Sequence, residues 1–318
     1  MAILGFDLGG TKLASAVFTE DGKLIRKSIL PLSKRKGQEV GQLITGTITE
    51  IINNSYDEGF RINSIGISVP GISHTSTGKV WAPNIPGWED YPLLEEAESV
   101  SGNNVPVIIE SDRACYIMGE VWQGNAKGCR DAIFLSVGTG IGAGILTNGE
   151  VLRGSHDIAG AIGWMALNRP FIDDYVNRGC FEYYTSGEGI AGNARRRIKE
   201  DHEYDGFLKN IPSAEITSHD VFSAYEKGDP VAKVVIAQCV EFWGMAVANL
   251  ISLFNPEKII MGGGVFGPAV TLIPDIVKEA AKWAQPVSIK QVSIVASALG
   301  GDAGVTGAGY IALKKISN

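Results

Sequence analysis

The sequence predicts an α/β protein with two similar lobes, because a strand-turn-strand unit occurs in it twice. Apolar runs flank Gly9-Gly10-Thr11-Lys12, and two further apolar runs flank Gly138-Thr139-Gly140-Ile141-Gly142. The second turn follows the first after 128 residues, and the closing turns Asp21-Gly22 and Asn148-Gly149 lie 127 residues apart. A period this long indicates duplicated domains, since solenoid repeats have periods of about 20 to 50 residues. The length of 318 residues is also typical of about two domains.

The first lobe is predicted to begin with a hairpin and a third strand. Apolar residues 3–8 and 13–18 form the hairpin, and the turn Asp21-Gly22 leads into the third strand. A helix near 39–54, strands at 64–69 and 105–110, and a helix from about Asp112 to Trp122 follow. The segment from Pro70 to Pro92 is rich in Gly and Pro, and we expect this long loop to carry function.

The second lobe is predicted to repeat the hairpin and then to become mainly helical. An irregular region ends near Tyr184, and the patterns then predict helices at 189–200, 218–227 and 230–253. Short strands at 258–261 and 292–297 and a final helix at 303–315 follow. Small residues on one side of the final helix allow close packing, so we expect it to return to the first lobe. The predicted domains are 1–115 together with 302–318, and 116–301.

Composition and charge predict a folded cytoplasmic protein that binds neither nucleic acid nor a membrane. Hydrophobic residues make up 45% of the chain, and the formal net charge is -7, whereas a nucleic-acid-binding protein needs a basic face. Met1 is followed by Ala-Ile-Leu-Gly-Phe-Asp without a basic or long apolar leader, and we expect no uninterrupted apolar stretch of membrane length. The four cysteines are scattered, so buried thiols are the expected state.

Three glycine-rich segments are candidates for phosphate binding. Each follows an apolar strand: Gly9-Gly10-Thr11, Gly138 to Gly142, and Gly262-Gly263-Gly264. Glycine permits positive φ and exposes backbone N–H groups that hold phosphate oxygens. One such turn alone is more often structural, but three in a repeated hairpin favour phosphate binding. The sequence contains no P-loop pattern Gly-x-x-x-x-Gly-Lys-Ser/Thr, and the first strand lacks the dinucleotide-binding turn Gly-x-Gly-x-x-Gly, so neither the P-loop nor the Rossmann interpretation is favoured.

Two aspartates stand at the ends of predicted strands. Asp7 precedes the first glycine turn, where it could accept hydrogen bonds from turn amides or, beside phosphates, orient Mg²⁺ through water. Asp112 follows the strand 105–110 and opens a helix. On the pattern alone, an N-cap role of Ser111 or Asp112 is the favoured interpretation.

Seven motifs in one order identify the chain as similar to a known family over nearly its full length. They are Asp7-Leu8-Gly9-Gly10-Thr11-Lys12, Val69-Pro70-Gly71, Ala82-Pro83-Asn84-Ile85-Pro86-Gly87-Trp88, Ser111-Asp112, Val137 to Gly142, Gly262-Gly263-Gly264-Val265 and Gly300-Gly301-Asp302-Ala303-Gly304. The chain resembles the ROK family of repressors, uncharacterised frames and sugar kinases. The resemblance implies an α/β two-lobed actin-like ATPase (ribonuclease H-like) fold with a central cleft.

The resemblance also implies an ATP- and Mg²⁺-dependent sugar kinase with assigned residues. It places the nucleotide and its Mg²⁺ against Asp7, Gly9, Gly10, Thr11, Lys12, Gly138, Thr139, Gly140, Gly263, Gly264 and Val265. It places the sugar against Gly71, Asn84, Asp112, Trp164 and Glu182. Asp112 would be the general base that accepts the proton of the attacking sugar hydroxyl. That hydroxyl would be the 6-hydroxyl of a hexose, an amino sugar or a glycoside. Asp7 would hold Mg²⁺ through water, and dimerisation follows from the resemblance alone.

The chain departs from the family pattern in one segment. Where family kinases carry Gly-Glu-x-Gly-His, this chain has Gly160-Ala161-Ile162-Gly163-Trp164, and only Cys180 remains of the following cysteine cluster. One cysteine cannot hold structural zinc, so we expect no zinc and a loop ordered by aromatic packing. Ala161 removes a hydrogen-bond acceptor for the sugar.

Three side chains in this region each have two interpretations. Trp164 is either a face on which a sugar ring stacks, which favours a different sugar or a glycoside, or a core aromatic residue. Glu182 is either a sugar contact or a solvated surface carboxylate. His156 is either a replacement base or ligand or, as we expect for a lone histidine in a loop, merely exposed or hydrogen-bonded.

Two functions therefore compete. Intact Asp7, Asp112 and glycine segments favour a kinase. The changes at Ala161 and Trp164 allow a non-catalytic sensor or regulator that binds a sugar or a nucleotide. DNA binding is disfavoured, since no reading head precedes Asp7.

Overall fold

Two α/β units make up the protein in the computed structural model, which describes residues 1–102 and 104–317. Unit 1 consists of Met1–Gly128, Val151–Ala159 and the chain from Gly301 onward. Unit 2 consists of Cys129–Glu150 and Gly160–Gly300. These bounds differ from the predicted domains, which end the first segment at residue 115 and assign 151–159 to the second lobe.

Both units contain strands and helices. The strands are β1 Ala2–Leu8, β2 Lys12–Thr19, β3 Leu24–Pro31, β4 Ile62–Val69, β5 Ile72–His74, β6 Lys79–Trp81, β7 Val107–Ser111, β8 Ala132–Val137, β9 Ile141–Thr147, β10 Glu150–Val151, β11 Lys258–Gly262 and β12 Ser293–Ala296. The helices are α1 Gln38–Asp57, α2 Leu93–Ser101, α3 Asp112–Gln123, α4 Tyr175–Arg178, α5 Cys180–Thr185, α6 Gly187–Glu200, α7 Ser218–Glu226, α8 Pro230–Phe254, α9 Ile273–Trp283 and α10 Ala303–Ser317.

The two main sheets have the same topology. Their strand orders are β3-β2-β1-β4-β7 and β10-β9-β8-β11-β12. In each sheet an antiparallel hairpin is followed by two parallel neighbours, with β1 beside β4 and β8 beside β11. This correspondence confirms the duplication that the repeated glycine turns predict.

Helix α10 packs in unit 1 through small residues, as its sequence predicts. A Cβ on Gly66 of β4 would collide with the carbonyl oxygen of Ala308, and a Cβ on Gly307 would collide with the carbonyl oxygen of Cys115. The backbones of β4, α3 and α10 therefore approach too closely for a larger residue. Because Cys115 belongs to α3, this packing also explains why unit 1 contains all of α3 and does not end at residue 115.

The long apolar helix of unit 2 is α8. Asp229 caps its N-terminus by accepting a hydrogen bond from Ala232 N at 2.9 Å, and Asn255 ends it in the left-handed conformation. An 18-residue window of α8 has a mean hydropathy of 1.7, so by length and composition it could span a membrane. Its apolar sequence is interrupted by Lys233, Gln238 and Glu241. Because 61% of that window is buried within the structure, α8 is better explained as a core helix.

Several short elements differ from the sequence prediction. The loop at 70–92 contains the hairpin β5-β6, the region before Tyr184 contains α4 and most of α5, and α2 and α9 are additional helices. Strands of three residues are too short to show a clear alternation of apolar and polar side chains. Helix α9 has Pro274 in its first turn, a start signal that the sequence interpretation missed.

Candidate active site

Asp112 lies at the first position of α3 and does not cap the helix. Ser111 is the N-cap, and its side chain accepts a hydrogen bond from Ala114 N at 3.4 Å. This resolves the two capping possibilities in favour of Ser111. The Asp112 carboxylate is therefore available for another role.

The surroundings of Asp112 favour its protonated form. Burial is the largest cause and raises the pKa of Asp112 to about 6, and the negative charge of Asp7 adds to this effect. The positive charge of Arg113 opposes it, as do hydrogen bonds from Arg113 N at 2.8 Å and from the Tyr116 hydroxyl at 3.5 Å. A carboxyl group with a pKa near 6 can accept a proton at neutral pH more effectively than an ordinary aspartate.

Asp7 is held at the end of β1, next to the first glycine turn. Its Oδ1 accepts a hydrogen bond from Ser68 Oγ at 2.7 Å. Burial raises the pKa of Asp7, while the bond from Ser68 and the charge of Lys12 lower it. A Cβ at Gly304 would collide with the carboxylate, so the glycine leaves it room.

Asn84 lies exposed on a turn that is anchored by a buried tryptophan. The ring of Trp88 is buried, stacks on Tyr91 with centroids 4.3 Å apart, and donates from Nε1 to the carbonyl oxygen of Gly37 at 3.0 Å. The turn is thus fixed while the Asn84 side chain reaches solvent. Such an exposed amide on a fixed turn can bind a polar ligand.

Gly71 is tied to the start of α3. Its φ is 95°, and its carbonyl oxygen accepts a hydrogen bond from Arg113 Nη2 at 3.1 Å. Within unit 1 this bond connects the predicted Gly71 site to the residue that follows Asp112.

The glycine turns leave open space where a side chain would be. A Cβ added at Gly10, Gly138 or Gly264 would meet no heavy atom within 4 Å. Gly263 has a positive φ of 89°, a conformation that favours glycine. The φ angles of Gly9, Gly10, Gly138 and Gly140 are not positive. Neither packing nor positive φ therefore explains glycine at Gly10 or Gly138.

Glu182 supports the second glycine turn. From α5 its Oε2 accepts a hydrogen bond from Ile141 N at 2.7 Å, and a Cβ at Gly140 would come within 2.9 Å of the same oxygen. Burial raises the pKa of Glu182, while the bond from Ile141 and the charge of Arg178 lower it. Glu182 is half-buried, so its interpretation as a solvated surface carboxylate is wrong.

A cavity of about 310 Å³ opens within unit 2 beside two of the predicted nucleotide segments. Gly138, Thr139, Gly264 and Val265 line it together with residues of α6 and α7 that the sequence interpretation missed: Glu188, Arg195, Ser218 and His219. Its volume is typical of a small-molecule site. No sequence signal tied these helix residues to the glycine turns, since the contact depends on how the helices pack.

Trp164 is exposed over 57% of its surface, so the interpretation as a core aromatic residue is wrong. Ala161, which removes the family glutamate, is half-buried three residues before it. His156 is exposed, as expected.

Aromatic side chains order the segment that lacks the family cysteines, as the sequence predicts. Tyr175 packs edge-on against Tyr183, its hydroxyl lies 2.7 Å from the Tyr184 hydroxyl, and Tyr184 contacts Phe242 with centroids 4.8 Å apart. Within residues 1–102 and 104–317, no group of three or more His, Cys, Asp or Glu side chains could hold a metal ion.

Comparison with known proteins gives matches over nearly the whole chain. The profile of the ROK family matches residues 3–315. A glucokinase of Halalkalibacterium halodurans is 33% identical over 97% of this chain and 94% of its own.

Solved structures of ROK family proteins also match nearly the whole chain. The crystal structure of a ROK family glucokinase from Streptomyces griseus in complex with glucose and AMPPNP is 27% identical, with a TM-score of 0.80 over 99% of this chain and 100% of that one. A ROK family transcriptional regulator, a homologue of an E. coli protein, is 26% identical, with a TM-score of 0.85 over 98% of this chain and 78% of that one.

These relatives confirm the predicted actin-like ATPase fold class and the predicted enzyme class, a sugar kinase. The roles of individual residues stay predictions. By its match to the family profile and to full-length relatives, the chain belongs to the ROK family.

Proposed function

We propose that the protein transfers the γ-phosphoryl group of ATP to a hydroxyl group of a hexose, an amino sugar or a glycoside, with the 6-hydroxyl as acceptor and Asp112 as general base. The observation that carries this proposal is the Asp112 carboxylate at the start of α3. Ser111 caps the helix in its place, and burial raises the pKa of Asp112 to about 6. A carboxylate that serves neither capping nor an ion pair, on a family kinase motif, is best explained as a base.

The reaction needs one proton acceptor and in-line displacement. The acceptor hydroxyl oxygen forms a bond to the γ-phosphorus, the bond from that phosphorus to the oxygen bridging to the β-phosphate breaks, and ADP leaves. The hydroxyl proton passes to the Asp112 carboxylate. A positioned base of this kind contributes about 10² to 10⁴ in rate.

The glycine turns fit a phosphate chain. Open space beside Gly10 and Gly138 lets phosphate oxygens approach the backbone N–H groups of Gly9-Gly10-Thr11-Lys12 and Gly138-Thr139-Gly140. Gly263, Gly264 and Val265 would lie against the adenosine. Asp7 fits an indirect ligand of Mg²⁺, because its carboxylate is fixed by Ser68 beside the first turn. When bound, Mg²⁺ would offset the negative charge of the phosphates.

The candidate sugar contacts are those that the family resemblance implies. Gly71, Asn84 and Asp112 belong to unit 1, and Trp164 and Glu182 belong to unit 2. Trp164 offers an exposed ring face, on which a sugar or the aglycone of a glycoside can stack, whereas Ala161 offers no acceptor. This combination favours a substrate other than free glucose.

We expect kcat/KM to depend on pH through Asp112. A base acts in its deprotonated form, so kcat/KM should fall as pH decreases through about 6 and be level above it. Sugar-dependent ADP release between pH 5 and 8, at sugar and ATP concentrations below KM, measures this. A profile that is flat through pH 6 would exclude Asp112 as a rate-controlling base.

The experiment that tests the proposed function is ADP release with Mg·ATP across a panel of monosaccharides, amino sugars and β-glucosides. We expect release that depends on one sugar class. Phosphorus NMR of the product would show whether the 6-hydroxyl is the acceptor. Absence of release with every sugar, despite measurable nucleotide binding, would contradict the kinase.

A sensor or regulator is the second candidate. The similarity to a ROK transcriptional regulator and the changes at Ala161 and Trp164 favour it. Sugar binding without phosphorylation in the same panel would support it. Three further points stay predictions: a cytoplasmic location, a homodimer, and the absence of nucleic-acid and membrane partners. The net charge of -7 supports the absence of a nucleic-acid partner.

A further inference from the structure

Two charged side chains of α6 form part of the wall of the unit 2 cavity. Glu188 lies in the first turn of α6 and Arg195 lies seven residues later, so both are on one face of the helix. Arg195 Nη1 donates to Glu188 Oε1 at 2.7 Å, and Nη2 donates to the carbonyl oxygen of Ile216 at 2.6 Å. The guanidinium group is thus fixed at two points, and it fixes the carboxylate in turn.

This arrangement leaves hydrogen-bonding capacity at the cavity. Half of the Glu188 side chain is exposed, and its Oε2 accepts no hydrogen bond from the residues that the structure describes. Arg195 Nε is buried and likewise finds no acceptor in the described part of the chain. Because an unpaired buried donor is costly, stability alone does not explain why Arg195 is held here.

The start of α6 is attached to the second glycine turn. Gly187 N donates to the carbonyl oxygen of Gly138 at 2.8 Å, so the residue before Glu188 contacts a proposed phosphate turn directly. Gly264 and Val265 line the same cavity. A nucleotide with phosphates at Gly138 and Thr139 and its base at Gly264 and Val265 has its ribose between these two sets.

We propose that Glu188, positioned by Arg195, accepts hydrogen bonds from the ribose hydroxyl groups of the phosphoryl donor and so makes the protein select a ribonucleoside triphosphate. This inference rests on the proposed nucleotide site and deepens it. A carboxylate only accepts hydrogen bonds, and the 2′- and 3′-hydroxyls are the two donors of the ribose. Donors that lack both hydroxyls, a 2′,3′-dideoxynucleotide or inorganic polyphosphate, would leave Glu188 without this partner.

Charge explains the need for Arg195. An isolated carboxylate near a triphosphate would repel it, whereas one bound to a guanidinium group is neutralised. The pair therefore supplies acceptor oxygen at the ribose without net negative charge. Arg195 is a positioning residue in this scheme, since it acts through Glu188.

The test compares ATP with 2′,3′-dideoxy-ATP for the natural protein and for Glu188→Ala, by KM in sugar-dependent release of the nucleoside diphosphate. We expect the natural protein to prefer ATP by about tenfold or more, the usual value for a hydrogen bond to a charged group. Glu188→Ala should raise the KM for ATP and leave the KM for 2′,3′-dideoxy-ATP little changed. Glu200→Ala, an exposed glutamate at the other end of α6, is the matched control and should change neither KM.

Arg195→Met tests the positioning role. It should lose the preference for ATP to the same extent as Glu188→Ala, and the double variant should lose no more than either. Additive losses would contradict action through Glu188, and an unchanged preference in Glu188→Ala would overturn the proposal.

Binding of AMPPNP and its 2′,3′-dideoxy form, measured by calorimetry, separates this inference from the proposed function. If no sugar supports ADP release but the natural protein prefers the ribonucleotide and Glu188→Ala does not, the kinase fails and the ribose contact holds. If release is normal but neither variant alters the preference, the ribose contact fails alone.

Discussion

Replacing Asp112 with asparagine is expected to lower kcat for sugar phosphorylation by about 10² to 10⁴, the usual contribution of a positioned general base. Asparagine keeps the size and shape of the side chain but cannot take up the hydroxyl proton. Ser111 caps α3, so the helix does not depend on the carboxylate. The free energy of unfolding should therefore stay unchanged or rise, since burial disfavours the charged form of Asp112.

Steady-state ADP release measures this effect, and calorimetric titration with AMPPNP shows whether nucleotide binding is retained. We expect the dissociation constant for AMPPNP to change little. Glu98→Gln, an exposed carboxylate of α2, is the matched control and should keep full activity. A kcat within a factor of about three of the natural value would remove the base role from Asp112, given the smallest usual contribution of a base.

The elements that position Asp112 could be predicted because their signals are local. The apolar run of β7, the polar cap at Ser111 and the helical pattern of α3 are contiguous in sequence, and the structure places their boundaries within about two residues of the prediction. The duplicated hairpins could also be predicted from the sequence, since Gly10 and Gly138 occupy matching turns. Local patterns also located Asp7 at the end of β1.

The remainder of the site depends on packing between distant segments. Glu188, Arg195 and Ile216 come together through the contact of α6 with the chain before α7, and no spacing within the sequence records that contact. Exposure is another property that local patterns do not determine. The sequence left both Trp164 and Glu182 undecided, whereas the structure shows an exposed ring and a carboxylate bound to Ile141 N.

Substitutions in the glycine turns can separate an effect on ATP binding from an effect on the stability of the fold. Gly138→Ala is expected to leave the free energy of unfolding within about 0.5 kcal/mol of the natural value, since its φ is not positive and the new Cβ meets no atom within 4 Å. The same methyl group would occupy the space that a phosphate oxygen needs to reach the backbone N–H groups. We expect the affinity for ATP to fall about tenfold or more, in line with the cost of overfilling a close contact.

Gly263→Ala is the contrasting variant, because its φ is 89° and the new Cβ would collide with the carbonyl oxygen of Val137. We expect Gly263→Ala to lower the free energy of unfolding by at least about 2 kcal/mol, because the strain of this backbone conformation adds to the cost of the collision. Thermal unfolding and titration with ATP on both variants give the comparison. Loss of affinity without loss of stability at Gly138 assigns that glycine to the phosphates. Natural affinity in Gly138→Ala would instead mean that the turn needs no bare backbone, and the open space beside Gly138 would then have no role in binding the donor.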